Sequence, residues 1–485
     1  MQRRKIMSKN VIVLAMSTLT IERESGTIKK SRFSYKESDN VGEEYFGQME
    51  PISKMILQRE GSLDQIIILS TNNTKQEIEF LYKGKEMKIS AVDFYLQRMN
   101  LENSDKVKIV DVEETRMVPA IAQTIELIRN AEQEYKNEKM NLWIDTQGGF
   151  RNISMVINAI ISLLKDNNIE PSGVYSINYN RNNKVQRIID QTNTYKVFQF
   201  VSGINEFTRC GRAEQLEDYY ESIHQETPED VKKMKQIAEA IQMCNIFEFD
   251  KYLNELREMY KKMPKVESEL LGIFRNQIRQ DYGNLLEDSC TGLDIVEWFY
   301  KKNFYQQAIT YVEAKLPKEW IDKGIIKYTV EPNELEALKK KLHKEYEKDE
   351  NMVIFQIALE YFKWNEIMKK KKNRVISVCE FESEESLKSA RSKAYDNVGK
   401  RFNLPLKYTY KKDQEYVTEI VGNADIEIQA ENEEKVLNLV LLYKLLKKER
   451  NNFNHMSENN LRADQETLGK AIKLFIKIGR EVYAE

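Results

Sequence analysis

Arg450 and His455 stand five positions apart in the sequence, with Asn451 directly after the arginine. Histidine titrates near neutrality, so it can take the proton of a ribose 2′-OH and later return one to the leaving oxygen. Arginine offers a forked pair of donors to a phosphate and steadies the charge that builds on a phosphorane. Those two groups are sufficient for metal-free RNA cleavage. They follow residues 433–449, where Val436, Leu437, Leu439, Val440, Leu441, Leu442, Leu445 and Leu446 make a segment that is apolar nearly all round. Such a segment predicts a central, buried helix. Asn451, Asn452 and Asn454 predict a break or polar kink behind it, with a further helix from about residue 467. Taken alone, an arginine and a histidine at this spacing are common, and their ordinary reading is surface chemistry beside a loop. The other histidines, His224 and His343, fall in charged helical segments and read as surface residues.

A second set of residues could hold a nucleotide. Asp145-Thr146-Gln147-Gly148-Gly149-Phe150-Arg151 leaves a predicted strand and opens a predicted helix. Gly148 and Gly149 allow a tight turn and close approach of a ligand. The helix start presents free N–H groups to an anion, and Arg151 adds a donor fork suited to phosphate or to stacking on a base. The bland alternative is a plain strand-to-helix turn. The stretch is neither a dinucleotide-binding glycine fingerprint nor a phosphate loop with its lysine. Other predicted strand ends are polar in the same way: Ser17-Thr18, Thr71-Asn72 and Asn178. Each alone is loop chemistry. Their recurrence at one end of a sheet makes Ser17, Thr18, Thr71, Asn72, Gln147, Gly148, Gly149, Arg151 and Asn178 the candidate ligand-binding set.

The elements that must position these groups follow from periodicity. Apolar or alternating runs at 11–15, 65–69, 107–112, 141–145, 173–178 and 185–189 predict strands. Residues 119–134 and 152–165 between them predict amphipathic helices, the second with Ile153, Val156, Ile157, Ile160, Ile161 and Leu164 on one face. Strand and helix alternating in this way predict a Rossmann-like α/β domain with a mostly parallel sheet, whose ligand sits beyond the carboxyl ends of the strands. After about residue 202 helical periodicity dominates, at 230–243, 247–262, 295–316, 332–362, 433–449 and 467–483. Residues 375–430 read as an irregular insertion with short strand-like pieces. The expected organisation is a sensing domain over 1–205, a helical linker over 206–270 and an all-α domain over 271–485.

Composition narrows the function classes. The chain has 485 residues, 41% hydrophobic and 31% charged, with a formal net charge of −2. A static nucleic-acid coat would be strongly basic, so RNA contact should be local and transient. The basic run 369–372 reads as a solvated helix face. Four scattered cysteines and three histidines indicate neither a disulfide framework nor a metal centre, and a reducing cytoplasm fits them. Arg3-Arg4-Lys5 before the apolar run 11–16 mimics a secretory leader, but the run is short and reads as a buried first strand. No stretch is long and apolar enough to span a membrane.

Taken together, these features resemble the CARF–HEPN effector ribonucleases of type III CRISPR systems. The HEPN hallmark is an arginine, usually followed by a polar residue, and a histidine a few positions on; Arg450, Asn451 and His455 match it. The stretch from Trp298 through Tyr305-Gln306-Gln307-Ala308 to Leu316-Pro317 is similar to a helix of one CRISPR-associated subgroup, and its physical reading is helix packing. Family members carry a D-x-T-H-G-x-R-like stretch after the fourth strand. Here Thr146 stands one position early and Gly148 replaces the histidine. The resemblance implies a homodimer that binds cyclic tetra- or hexa-adenylate across its two-fold axis. It also implies single-stranded RNA as substrate, Arg450, Asn451 and His455 as catalytic residues, and no metal or cofactor. Whether the sensing domain also cuts its own activator is left open by the altered motif. Two rival readings make different predictions. A non-catalytic regulator would bind the nucleotide and a protein or RNA partner without cleavage. A stand-alone nuclease would ignore cyclic oligoadenylates.

Overall fold

The computed structural model describes residues 8–35, 44–46, 49–113, 115–136, 138–149, 152–165, 169–178, 185–263, 270–342, 383–387, 401–412, 415–428, 433–455 and 463–484. The chain divides into two compact units, Met1–Ser202 with Asp218–Glu226 and Gly203–Glu217 with Thr227–Glu485. The change of unit falls within helices α6 (Thr192–Cys210) and α7 (Glu214–Ser222).

The first unit holds strands β1 (Ser8–Ala15), β2 (Ser31–Ser34), β3 (Glu44–Tyr45), β4 (Gln65–Ser70), β5 (Ile78–Tyr82), β6 (Lys85–Ile89), β7 (Val107–Asp111), β8 (Lys139–Asp145), β9 (Pro171–Asn178) and β10 (Val185–Asp190). Its helices are α1 (Glu50–Glu60), α2 (Asn72–Lys75), α3 (Ala91–Met99), α4 (Val118–Glu134) and α5 (Ile153–Lys165). Eight strands form one sheet in the order β3-β2-β10-β9-β8-β1-β4-β7, and β5 and β6 pair as a separate hairpin. The five strands β7-β4-β1-β8-β9 are mutually parallel, while β10 runs antiparallel to β9 and β3 antiparallel to β2. The parallel core therefore reads 3-2-1-4-5, the order of a doubly wound sheet.

The sequence of β1 explains its central place. Val11, Val13 and Ala15 point into one core with β8, α4 and α5, whereas Ile12, Leu14 and Met16 point into the other with α1 and α3. A strand covered on both faces needs a continuous apolar run, and residues 11–16 supply it. In α5, Ile153, Val156, Ile157, Ile160 and Leu164 are buried as their spacing predicts. Each such side chain contributes about 1.5–3 kcal/mol on burial.

The second unit contains α8 (Glu229–Gln242), α9 (Ile246–Lys262), α10 (Leu270–Tyr282), α11 (Gly292–Lys301), α12 (Tyr305–Asp322), α13 (Pro332–Leu342), α14 (Glu433–His455) and α15 (Gln465–Tyr483). It is mainly helical but not all-α. Strands β11 (Ile326–Val330), β12 (Arg401–Lys412) and β13 (Glu415–Ile428) form an antiparallel sheet in the order β11-β13-β12. The expected irregular insertion thus contains, over β12 and β13, a long hairpin. Alternate burial of Ala424, Ile426 and Ile428 on β13 gives it one apolar face.

Two further expectations are corrected. The predicted helix 295–316 is two helices, because Asn303 takes a left-handed conformation (φ 60°) that ends α11 and lets the chain turn into α12. The expected break after Glu449 does not occur, and α14 continues unbroken through Arg450, Asn451 and His455. Burial of Asn452 and the hydrogen bond between Arg450 and Asn451 take up polar groups that would otherwise favour a turn. Local propensity yields here to tertiary contact. No helix among the described residues is long and apolar enough to cross a membrane.

Candidate functional site

Two groups of predicted site residues are assembled by different means. The first lies at the strand exits of the first unit. In the order 3-2-1-4-5 the chain reverses its direction of growth between β1 and β8, and a crevice opens there beyond the carboxyl ends. Ala15 lies opposite Leu69, Leu14 opposite Asp145, and Asp145 opposite Tyr175. The exits of β4, β1, β8 and β9 therefore stand level, which gathers Thr71, Ser17, Gly148 and Asn178 along one edge.

The turn after β8 is fastened at every step. Thr146 donates to Tyr175 O through both its N–H (2.9 Å) and its hydroxyl (3.0 Å). Gln147 N donates to Asp145 Oδ1 at 2.8 Å, and Gln147 Oε1 accepts from Ile177 N at 2.8 Å. The side-chain carbonyl of Gln147, expected to face a ligand, is thus engaged in holding β9. Gly149, at φ 96°, donates its N–H to Ser17 Oγ at 3.0 Å. A Cβ on Gly148 would overlap both Ala15 O and Met49 Sδ. No side chain fits there, so only glycine brings the turn against β1.

Thr71 and Asn72 open the short helix α2. Thr71 is buried, its N–H donating to Thr74 Oγ1 at 3.1 Å, while Asn72 and Asn178 are exposed. Beside Ser17 and Thr18 a cavity of about 190 Å3 opens on the α1 and α3 side of the sheet, lined also by Lys29, Ser31, Glu50 and Tyr95. Its polar wall is built. Glu50 is buried and held by Arg98 Nε at 3.1 Å and Nη2 at 3.0 Å. Tyr95 OH and Ser53 Oγ share a hydrogen bond of 2.8 Å. Burial pushes the Tyr95 hydroxyl well above its usual range, and the carboxylates of Asp145 and Glu50 add to that. Arg151 lies outside the described residues.

Asp145, fully buried at the end of β8, was not singled out as a ligand residue. Burial pushes its carboxyl up to about 8, against the hydrogen bond from Gln147 N that favours the charged form. Its Oδ2 has no hydrogen-bond partner among the described residues. No sequence signal marks Lys29, Glu50 or Tyr95, because separate segments that only the fold brings together carry them.

The chain matches no protein-family model and no curated protein.

The second group lies at the end of α14. Its apolar residues, from Val436 to Leu446, are buried nearly all round, as their pattern predicts. α14 packs on α12, and this contact brings up a carboxylate that no sequence spacing announces. Glu313 Oε2 is ion-paired with Arg450 Nε at 2.7 Å, and Glu313 Oε1 lies 3.7 Å from Lys447 Nζ. Arg450 Nη1 also donates to Asn451 Oδ1 at 3.0 Å. Glu449 is buried and accepts from Ala463 N at 3.2 Å. Lys448 is half-buried, and desolvation lowers its pKa. Three cations, at 447, 448 and 450, thus accompany the carboxylates of Glu313 and Glu449. The Glu313 contact is an ion pair by distance without hydrogen-bond alignment, and a guanidinium so placed beside Asn451, in a locally positive setting, suits a phosphate. His455 closes the helix backbone, and its side chain lies outside the described residues. Among the described residues, no three His, Cys, Asp or Glu side chains are grouped to hold a metal ion.

Proposed function

We propose that the chain is a single-strand-specific endoribonuclease of the CARF–HEPN type, switched on by a cyclic oligoadenylate in CRISPR antiviral defence. The observation that carries this reading is the end of α14, where Arg450 is oriented by Glu313 and Asn451 and is followed in the same helix by His455. His455 takes the proton of a ribose 2′-OH, and the freed oxygen attacks the adjacent phosphorus. Arg450 stabilises the charge on the phosphorane. The imidazolium then returns a proton to the departing 5′-oxygen, leaving a 2′,3′-cyclic phosphate and a free 5′-hydroxyl. This scheme uses neither metal nor cofactor.

Helical positions five apart lie about 140° apart around the axis. A composite groove completed by a second copy of the chain suits that arrangement, and a C2 pair would present equivalent halves to it. Exposed Val118, Met155 and Leu163 on α4 and α5 offer apolar surface that such a pair would cover. In the first unit, Ser17, Thr18, Thr71, Asn72, Gly148, Gly149 and Asn178 form the cradle for the activator, with Gln147 holding β9 behind it. Its location at the sheet's reversal point supports a nucleotide ligand. Activation is a population shift toward the state the ring binds more tightly. The test is cleavage of single-stranded RNA with and without cyclic tetra- or hexa-adenylate. Cleavage that depends on the ring and on His455 is expected, and cleavage by His455→Ala would overturn the catalytic assignment.

A further inference from the structure

We infer that a groove beside Arg450 seats one unstacked base of the RNA strand, a role that rests on the ribonuclease reading above. The groove, a cavity of about 630 Å3, lies between the start of α12, the end of α14 and the start of α15. Asn303, Tyr305, Gln306, Gln307, Phe453 and Gln465 line it. Its size is within the range of roughly 300–1,000 Å3 found for small-ligand sites. Phe453 follows Arg450 by three positions on α14, which makes them surface neighbours with Cβ atoms about 5–6 Å apart. The opposite wall belongs to α12, the helix whose Glu313 orients Arg450. The groove and the phosphate-binding guanidinium therefore share the same two elements.

The lining chemistry favours a base over the other parts of a nucleotide. Aromatic faces at Phe453 and Tyr305 offer stacking, and the amide of Gln465, with the amide atoms of Asn303 and Gln307 that are not engaged within the chain, faces the base edge. The described lining is aromatic and amide in character, which matches the face and edge of a base. Its carboxylate, Asp464, is occupied in capping α15 through Thr467 N at 2.7 Å. Tyr305 is a fixed platform. Its ring stacks on Tyr300 with centroids 5.8 Å apart, and its hydroxyl donates to Asn303 Oδ1 at 3.0 Å. Gly469 leaves room for it, since a Cβ there would come within 3.1 Å of the Tyr305 hydroxyl. Gln307 is likewise fixed, its Nε2 donating to Ile241 O at 3.0 Å. The Tyr305-Gln306-Gln307 stretch, read from sequence as helix packing, thereby gains a second role in substrate binding.

The experiment uses the full chain, supplied with cyclic tetra- or hexa-adenylate, and single-stranded RNA carrying 2-aminopurine or an abasic site at each position in turn. Binding is read on the His455→Ala background, and cleavage is read separately on the unsubstituted chain. Near the cleavage position, 2-aminopurine fluorescence is quenched on binding. Phe453→Ala relieves the quench and weakens binding about ten-fold, and Phe453→Trp restores both. An abasic nucleotide at that position weakens binding by a similar factor in the parent and has little further effect with Phe453→Ala. Abasic penalties that are equal with and without Phe453→Ala, in chains of unchanged thermal stability, overturn the groove assignment while leaving the nuclease reading intact. RNA that is bound and quenched but never cut sinks the nuclease reading and keeps the groove. A change in oligomeric mass with Phe453→Ala and no change in the abasic penalty assigns the groove to a second copy of the chain and overturns the proposal.

Discussion

The two candidate sites are built from opposite materials. At the exits of β1 and β8 the backbone makes the site, through Gly148 pressed on Ala15 O and Gly149 N–H on Ser17 Oγ. At the end of α14 side chains make it, through Arg450 held by Glu313 and Asn451. A backbone site tolerates little change at its glycines but depends weakly on any one functional group. A side-chain site behaves the other way. The contrast suits a division of labour in which a shaped cradle reads a ligand and a few charged groups do chemistry.

The sharpest way to break the contrast is at the side chains. His455→Ala and Arg450→Ala should each lower RNA cleavage by about three orders of magnitude, the scale of lost proton transfer or phosphorane stabilisation. Binding of cyclic oligoadenylate to the first unit should not change in either variant. Residual cleavage near the parent level, measured in single turnover, would remove these residues from the chemistry.

The matching test on the backbone site is Gly148→Ala. With Ala15 O in the space of the new Cβ, the turn must shift, at a cost of about 1–3 kcal/mol. Ligand affinity should collapse along with that stability, as read by calorimetry and chemical unfolding. Ser17→Ala removes only the hydrogen bond to Gly149 N and serves as the milder companion, worth about 1 kcal/mol.

Asp145 adds a pH signature that belongs to the first site alone. Its carboxyl holds its proton to about pH 8 in the folded chain, whereas an unfolded aspartate releases it near pH 4. The folded state therefore binds more protons across that window, and stability falls as pH rises through it. Asp145→Asn mimics the protonated form. It should leave stability unchanged near pH 4 and raise it by on the order of 5 kcal/mol by pH 8 to 9. Parallel unfolding curves for parent and variant from pH 5 to 9 would exclude this account.

Glu313 tests how much the second site depends on orientation. Glu313→Gln leaves Arg450 charged but removes the ion pair at 2.7 Å. It should lower kcat about ten-fold with little change in KM, because the guanidinium loses its fixed aim. A drop in KM with unchanged kcat would show instead that Glu313 competes with the substrate phosphate.

Much of the first unit was legible in the sequence, because each core strand carries its own signal. The runs at 11–15, 65–69 and 141–145 lie within β1, β4 and β8 as observed, and the glycines at 148 and 149 mark the turn between β8 and α5. The hairpin of β5 and β6 and the edge strands β2 and β3 were not, because they are short and half-exposed and lack a strong alternating pattern. Helix α14 was legible up to Glu449 from its apolar residues. Its extension past Glu449 was not, because burial of Asn452 and the hydrogen bond between Arg450 and Asn451 are not encoded in the apolar pattern.

What the sequence by itself determined is therefore local: which runs bury both faces, where glycine is required, and which residues can carry a proton or hold a phosphate. Tertiary structure alone decided the partners. The register of β1 between β4 and β8 levels Ser17 with Gly148, although they lie far apart in the chain. The packing of α14 on α12 brings Glu313 to Arg450. Periodicity encodes the face a side chain points to, but the residue it meets there depends on how separate elements pack, and no spacing along the chain records that.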